Sequence, residues 1–355
     1  MSAFFSQKYS RLVPYTPGEQ PQDMQYIKLN TNESPYPPSP AVLAAVKAEA
    51  ERLHLYSDPC LARVTRAIAE RYGVGEDQVI VTNGSDEVLN FAFMAFADEA
   101  RPLVFPDLTY GFYPVFAELN GIPYREISVG DDFTIDPDDY IGAKETVVIA
   151  NPNAPTGLFL PLSEIERIVA SDPERVVIVD EAYVDFGAES AVSLVGRYPN
   201  LLVTQTFSKS RSMAGARLGF GIGSPALIKD LHTIRYSTNP YNVNRMTEAA
   251  GAAALSEDAY YMENCATVAK NRDVTAERLR EMGFVVTDSR ANFLFARSDR
   301  IGGEELYLEL KKRGILVRHF SKERIKDYNR ITVGTEEQMS AFLAAVREIL
   351  EDCKK

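Results

Sequence analysis

Between residues 78 and 223 short apolar runs alternate with stretches of helical periodicity. The runs are Val79–Val81, Leu103–Phe105, Thr146–Ala150, Val176–Val179, Leu201–Val203 and Leu218–Phe220. Near-continuous β-branched runs without polar alternation are what strands buried on both faces look like. Their alternation with helices predicts an α/β fold with a mostly parallel, doubly wound sheet. Ser39-Pro40 reads as N-cap and first turn of a helix reaching about His54. After Pro240 the pattern turns helical from about Val243 to Met282, with Gly283 as its stop. A smaller α+β pattern follows, containing Asn292–Phe295, Gly314–Arg318, Arg330–Gly334 and a helix from about Glu336 to Glu351. Residues 1–38 follow neither period and carry prolines 14, 17, 21, 35, 37 and 38, the pattern of an arm ordered by packing on something else. The chain therefore divides into an arm (1–38), a large domain (39–245) and a small C-terminal domain (246–355) joined by a long helix.

The length, 355 residues, agrees with two domains rather than one core. The net charge of −12 argues against nucleic acid or an anionic membrane as partner, so a bound anion must be held by local arginines or helix N-termini. Three cysteines, at 60, 265 and 353, have neither disulfide nor metal-ligand spacing and fit a reducing compartment. The three histidines, at 54, 232 and 319, are scattered, which disfavours a zinc site or a serine–histidine hydrolase. The first residues lack a signal-peptide pattern, and no apolar stretch reaches the roughly 18 residues that cross a bilayer. A cytoplasmic location is expected.

The chemistry concentrates where the runs end. Val81 leads to Asn83-Gly84-Ser85-Asp86, Phe105 to Pro106-Asp107 and Tyr110, Ala150 to Asn151-Pro152-Asn153-Ala154-Pro155-Thr156-Gly157, Val179 to Asp180 and Tyr183, and Val203 to Ser208-Lys209. Ligands of open α/β sheets bind beyond the carboxyl ends of the strands, so these ends define one site. A partly desolvated Lys209 amine can form a Schiff base with an aldehyde. Alone, it reads more readily as a surface lysine in a loop, and the surrounding strand ends reverse that. Asp180 ends a buried strand, where a carboxylate is costly unless paired, and a pyridinium nitrogen is a suitable partner. Asp180 as a simple turn or cap residue is the plain alternative. Tyr183 is placed to reach a phenolic oxygen, or to pack. Gly84, Ser85 and Asp86 open an apolar helix whose N–H groups suit a phosphate, with Asp86 and Glu87 expected to point away from the anion. Ser208 and Arg217, eight positions past the lysine, complete a phosphate cradle. Tyr110 is placed to stack on a ring. Pyridoxal phosphate carries the aldehyde, the pyridine, the phenolic oxygen and the phosphate together. Gly219-Phe220-Gly221-Ile222-Gly223 lacks the spacing and context of a dinucleotide fingerprint and is set aside.

On these motifs the chain resembles the fold-type I pyridoxal-phosphate-dependent aminotransferases along nearly its whole length. Within them it is similar to the branch acting on histidinol phosphate, through Val13–Gly18, Leu29–Pro35, Tyr56–Pro59, Pro240–Asn244 and Ala291–Phe293. The resemblance implies transamination of histidinol phosphate with 2-oxoglutarate, giving imidazole acetol phosphate and glutamate, with Lys209, Asp180 and Tyr183 catalytic. It implies a homodimer in which Tyr56 reaches the partner's cofactor phosphate and Tyr15 the partner's substrate. Asn32, Arg318 and Arg330 join Tyr15 as substrate-binding residues, the two arginines holding the substrate phosphate and the glutamate carboxylate. An aromatic or broad-specificity aminotransferase, a threonine-phosphate decarboxylase and a cofactor-free scaffold are the competing readings. One position departs: the asparagine that the family uses before Pro-Thr-Gly is Ala154 here, with Asn153 or Tyr183 left to contact the phenolic oxygen. Arg211 is an additional arginine near the lysine without an assigned role.

Overall fold

The computed structural model describes residues 2, 4–10 and 12–353. The chain runs β1 (Ile27–Lys28), α1 (Pro40–Ala50), α2 (Ala62–Tyr72), β2 (Val79–Thr82), α3 (Ser85–Phe96), β3 (Leu103–Pro106), α4 (Phe112–Asn120), β4 (Tyr124–Ile127), β5 (Thr146–Ala150), α5 (Leu162–Ala170), β6 (Val177–Asp180), β7 (Leu201–Thr206), β8 (Gly219–Gly223) and α6 (Pro225–Thr238). It continues through α7 (Arg245–Ser256), α8 (Asp258–Glu281), β9 (Phe284–Val286), β10 (Phe293–Ser298), α9 (Gly303–Lys312), β11 (Ile315–Leu316), β12 (Arg318–His319), β13 (Tyr328–Thr332) and α10 (Glu336–Asp352).

The large sheet has seven strands in the order β2-β8-β7-β6-β5-β3-β4. Only β8 opposes its neighbours, being antiparallel to both β2 and β7. Successive side chains of the strands point to opposite faces, and both faces are covered. Val147, Ile149, Val177 and Val179 pack into one core, while Val148, Ile178 and Leu202 pack into the other. That two-sided burial is why these strands read as unbroken apolar runs. β4 escaped the sequence reading because its edge residues Tyr124, Arg125 and Glu126 are exposed and so are not apolar.

The glycines of β8 serve close packing. A Cβ on Gly219 would lie 2.2 Å from the Ser85 amide nitrogen, so only glycine lets β8 pass the start of α3. The helical stretch after Pro240 is two helices, broken at Glu257, with Asn244 capping α7 by accepting from the Thr247 N–H.

In the small domain β12-β13-β10-β9 form a four-stranded antiparallel sheet. Its core includes Phe293, Leu306, Phe342 and Val346. The arm is less independent than its prolines suggest. Its β1 pairs in parallel with β11, and buried Leu29 exchanges backbone hydrogen bonds with Leu316 and Thr332. The arm thus belongs structurally to the small domain and carries residues 29–34 between the two domains. Among the described residues no helix is long and apolar enough to cross a membrane, and no cluster of His, Cys, Asp and Glu could hold a metal ion.

Candidate active site

The carboxyl ends of β5, β6 and β7 and the start of α3 enclose a cavity of about 200 Å³. Ser85, Asp86, Tyr110, Asp180, Tyr183, Ser208, Lys209 and Arg217 all line it, as the strand-end reading expects. A wider cavity of about 450 Å³ adjoins it and shares Thr31, Tyr110, Ala154, Tyr183 and Lys209. Its remaining walls include Tyr15, Asn32, Arg318 and Arg330.

Lys209 lies on the turn after β7, and its Nζ donates to the Thr31 carbonyl at 3.1 Å. Burial first, then the positive charge of Arg330, lowers its pKa to about 8. A sizeable fraction of the amine is therefore neutral and nucleophilic near neutral pH. Asp180 closes β6. Its Oδ2 accepts from Tyr113 at 2.9 Å, while the buried Oδ1 has no partner among the described residues. Burial raises its pKa to about 7, against the donation from Tyr113 and with the charge of Asp86 adding to the rise. A buried carboxylate with one oxygen unpartnered, in a residue that lines a cavity, is comfortable as an anion only beside a cationic N–H donor. The neighbouring Glu181 is turned away and satisfied by Ser190, the Ala191 N–H and Gln205.

The phosphate end is built by α3, β7 and Arg217. Gly84 has φ +81°, which favours glycine, and a Cβ there would lie 2.6 Å from Arg217 Nη2 and push that guanidinium aside. Arg217 donates to Ser208 Oγ at 3.3 Å, and Thr206 donates to the same oxygen at 3.0 Å. Glu87 does point away, accepting from the Asn83 N–H and from Asn242. Asp86 does not. It pairs with Arg217 at 3.1 Å and accepts from Tyr110 at 2.9 Å, so it fixes the ring and the guanidinium that face the cavity.

Two expectations are corrected. Asn153 does not face the cavity: its amide donates to Leu108 O and Thr156 Oγ1 and its oxygen accepts from Thr109, so it holds its own loop, and Ala154 forms the wall instead. Tyr15 lies over this chain's own pocket, not a partner's, because its ring stacks on Phe112 at 4.3 Å and approaches Tyr110 at 6.4 Å. Asn32 lines the wider cavity as expected, and its amide also bonds Tyr183 and Thr332. Tyr56 is away from both cavities, 78% exposed and stacked on Tyr241.

Arg318 and Arg330 are direct cross-strand partners of β12 and β13. Arg330 donates to the Asn30 carbonyl and lies over Phe293 and Phe320. Arg318 donates to the carbonyls of Thr16 and Pro17, which pins the arm across the pocket. Arg211 is structural: its buried guanidinium pairs with Asp258, at the start of α8, 2.5 Å away. Sequence reasoning missed Tyr113, which lies in the first turn of α4, three residues after Tyr110. It also missed Thr31 and Thr332, which carry no signal beyond being small and polar.

The cavity fits pyridoxal phosphate. Its orphaned Asp180 oxygen suits a ring N–H, its arginine and helix start suit a phosphate, and its lysine has the lowered pKa that Schiff-base chemistry needs.

Residues 24–346 match the family of aminotransferases of class I and II, and the chain belongs to it. It is 49% identical to a histidinol-phosphate aminotransferase of Aromatoleum aromaticum, across 99% of this chain and 100% of the relative. It is 46% identical to one of Brachyspira hyodysenteriae, across 99% and 100%. Its fold is similar to that of the Sinorhizobium meliloti histidinol-phosphate aminotransferase, solved with pyridoxal-5'-phosphate, with TM-score 0.90, 22% identity and 99% of both chains covered.

Proposed function

We propose that the chain transfers an amino group from histidinol phosphate to 2-oxoglutarate, as the names of its full-length relatives suggest. The observation that carries the reading is the Arg318–Arg330 pair beside Lys209, in a wall that also presents Tyr15. A substrate ending in phosphate and one ending in carboxylate can share that pair, because guanidinium forks accept either anion.

Pyridoxal phosphate, when bound, supplies an aldehyde that condenses with amines and a ring that takes up electron density. Lys209 would hold it, and its amine, which lines both cavities, would be placed to take and return a proton at the substrate. Asp180, held by Tyr113, would keep a proton on the ring nitrogen. Tyr183 would donate to the phenolic oxygen. Tyr110, held by Asp86, would stack on the ring. Arg217, Ser208 and the N–H groups opening α3 would hold the phosphate. The segment carrying Lys322 and Arg324 reaches from the small domain to Asp107 and the carbonyls of Val129 and Gly130, at the rim of the wider cavity.

The working enzyme is read as a homodimer. Exposed Leu53 and Leu55 and the stacked Tyr56 and Tyr241 support this, and on this reading Tyr56 reaches the partner's phosphate site. The test is incubation with histidinol phosphate and 2-oxoglutarate, following glutamate. Formation of glutamate without carbon dioxide is expected. Turnover of phenylalanine well above that of histidinol phosphate, or carbon dioxide from threonine phosphate, would overturn the assignment.

A further inference from the structure

A hydroxyl has one proton, and where Tyr183 sends it decides what that residue can do at the cavity. The surrounding hydrogen bonds settle the direction. The Asn32 N–H donates to Thr332 Oγ1 at 2.9 Å. The Thr332 hydroxyl therefore keeps its proton for another acceptor, and it donates to Asn32 Oδ1 at 3.0 Å. With its oxygen so occupied, the Asn32 amide presents Nδ2, which lies 3.0 Å from the Tyr183 oxygen. An amide NH₂ only donates, so the Tyr183 oxygen accepts there and its own proton is left for the cavity.

The opposite amide orientation is disfavoured. It would place Nδ2 against Thr332 Oγ1, which already accepts a backbone N–H. The Thr332 proton would then lose its acceptor, since no other lies within hydrogen-bond distance among the described residues, and Thr332 is buried. Two further features hold the arrangement. Asn32 sits at φ +58°, a conformation asparagine tolerates better than most residues. Its carbonyl accepts from Asn292 Nδ2 at 2.9 Å.

We propose that Asn32 and Thr332 are positioning residues that aim the Tyr183 hydroxyl proton into the cofactor cavity. With alanine at 154 and the Asn153 amide turned into its loop, Tyr183 is the side-chain donor left on that wall. The arm thus contributes to the chemistry as well as to the lid. The charged and titratable groups facing Tyr183 are Asp180 on β6, Arg330 on β13, Tyr113 on α4, Lys209, Tyr110 and Tyr15 of the arm; none of them hydrogen-bonds its hydroxyl.

The inference rests on the reading that Tyr183 donates to the cofactor's phenolic oxygen. A donor on that oxygen draws off charge that would otherwise hold a proton on the neighbouring nitrogen contributed by Lys209, so losing the donation raises that nitrogen's pKa. The readout is the pH midpoint of the visible absorbance change of the cofactor-loaded enzyme. Tyr183→Phe is expected to raise the midpoint by about 0.5–1 pH unit, Thr332→Val by at least roughly half as much, and Asn32→Gly by less. Thr332→Ser, which keeps the hydroxyl, should restore the original midpoint. In a Tyr183→Phe background neither Thr332→Val nor Asn32→Gly should move it further. A shift in Tyr183→Phe with none in Thr332→Val, or additive shifts in the double variants, overturns the relay. No shift in Tyr183→Phe overturns the underlying placement of Tyr183 instead, and the inference with it. Should Thr332→Val not fold, Asn32→Gly, which accepts the positive φ, decides alone.

Discussion

The two cavities are joined but built differently. The cofactor cavity is walled mainly by the ends of three neighbouring strands of one sheet and the start of one helix, with Thr31 and Glu33 of the arm at its edge. The substrate cavity is assembled from the arm, the loop after β3, and β12 and β13 of the small domain. In the first, most polar side chains follow closely on an apolar run, so chain order and spatial order largely coincide. In the second, Tyr15, Asn32, Arg318 and Arg330 meet only because β1 pairs with β11 and draws the arm across. Rigid parallel strands fix the chemistry common to many substrates, and a composite wall fixes which substrate enters. Changes to the first should therefore abolish turnover, and changes to the second should redistribute it.

The largest effect is expected from Lys209→Ala, which removes both the anchoring amine and the proton carrier. Turnover should fall by roughly 10³-fold or more, with no cofactor trapped on the chain by borohydride reduction. Retention of turnover near the original level would show that the enclosed lysine is not the reacting one. On the other side of the comparison, Arg330→Ala should raise KM for both histidinol phosphate and glutamate by about 10- to 100-fold, the range of a lost charge-assisted hydrogen bond. Arg318→Ala should cost about tenfold and should also loosen the arm, which leans on its guanidinium through Thr16 and Pro17. Equal KM for both substrates before and after either change would remove the arginine pair from the recognition of anions.

That contrast also explains what could be read from the sequence. Lys209, Asp180, Ser85 and Arg217 were legible because burial on both faces of the sheet makes its strands conspicuous and their ends therefore locatable. β4 was not, because an exposed edge strand needs no apolar side chains. The position of Asn153 was misread because adjacent residues of a tight turn point in opposite directions, and its amide found Leu108 and Thr109 closer at hand. The ownership of Tyr15 was misread because nothing in an irregular proline-rich segment states which pocket it folds over. Asp86 was misjudged from the charge of a phosphate alone, without the arginine and tyrosine it holds.

Asp180 offers a test of intermediate size. Burial pushes its carboxyl up to about 7 in the apoprotein, above the ordinary 3.8. Between those values the folded apoprotein binds more protons than the unfolded chain, so its stability falls as pH rises from about 4 to about 7 and levels off above. Asp180→Asn abolishes that titration. The apo variant should match the apo parent in melting temperature near pH 4 and exceed it at pH 8, while gaining less on addition of pyridoxal phosphate. Parallel pH profiles for the two apoproteins would mean that the carboxylate is not strained by its burial.

The smallest effect probes the shared wall. Ala154 is buried beside Tyr183 and faces both cavities without a polar group. Ala154→Asn would add an amide donor there. If the phenolic oxygen lies against this wall, a second donor draws off more of its charge, and the pH midpoint of the loaded enzyme's visible band should fall by about 0.3–1 pH unit. The change in turnover should be modest, because Asp180, Lys209 and the arginine pair are untouched. The direction is what matters. A fall places the oxygen between Tyr183 and residue 154, on the boundary where the strand-end cavity meets the composite one. A rise, or no movement, would place that oxygen elsewhere and leave Tyr183 without the partner assigned to it.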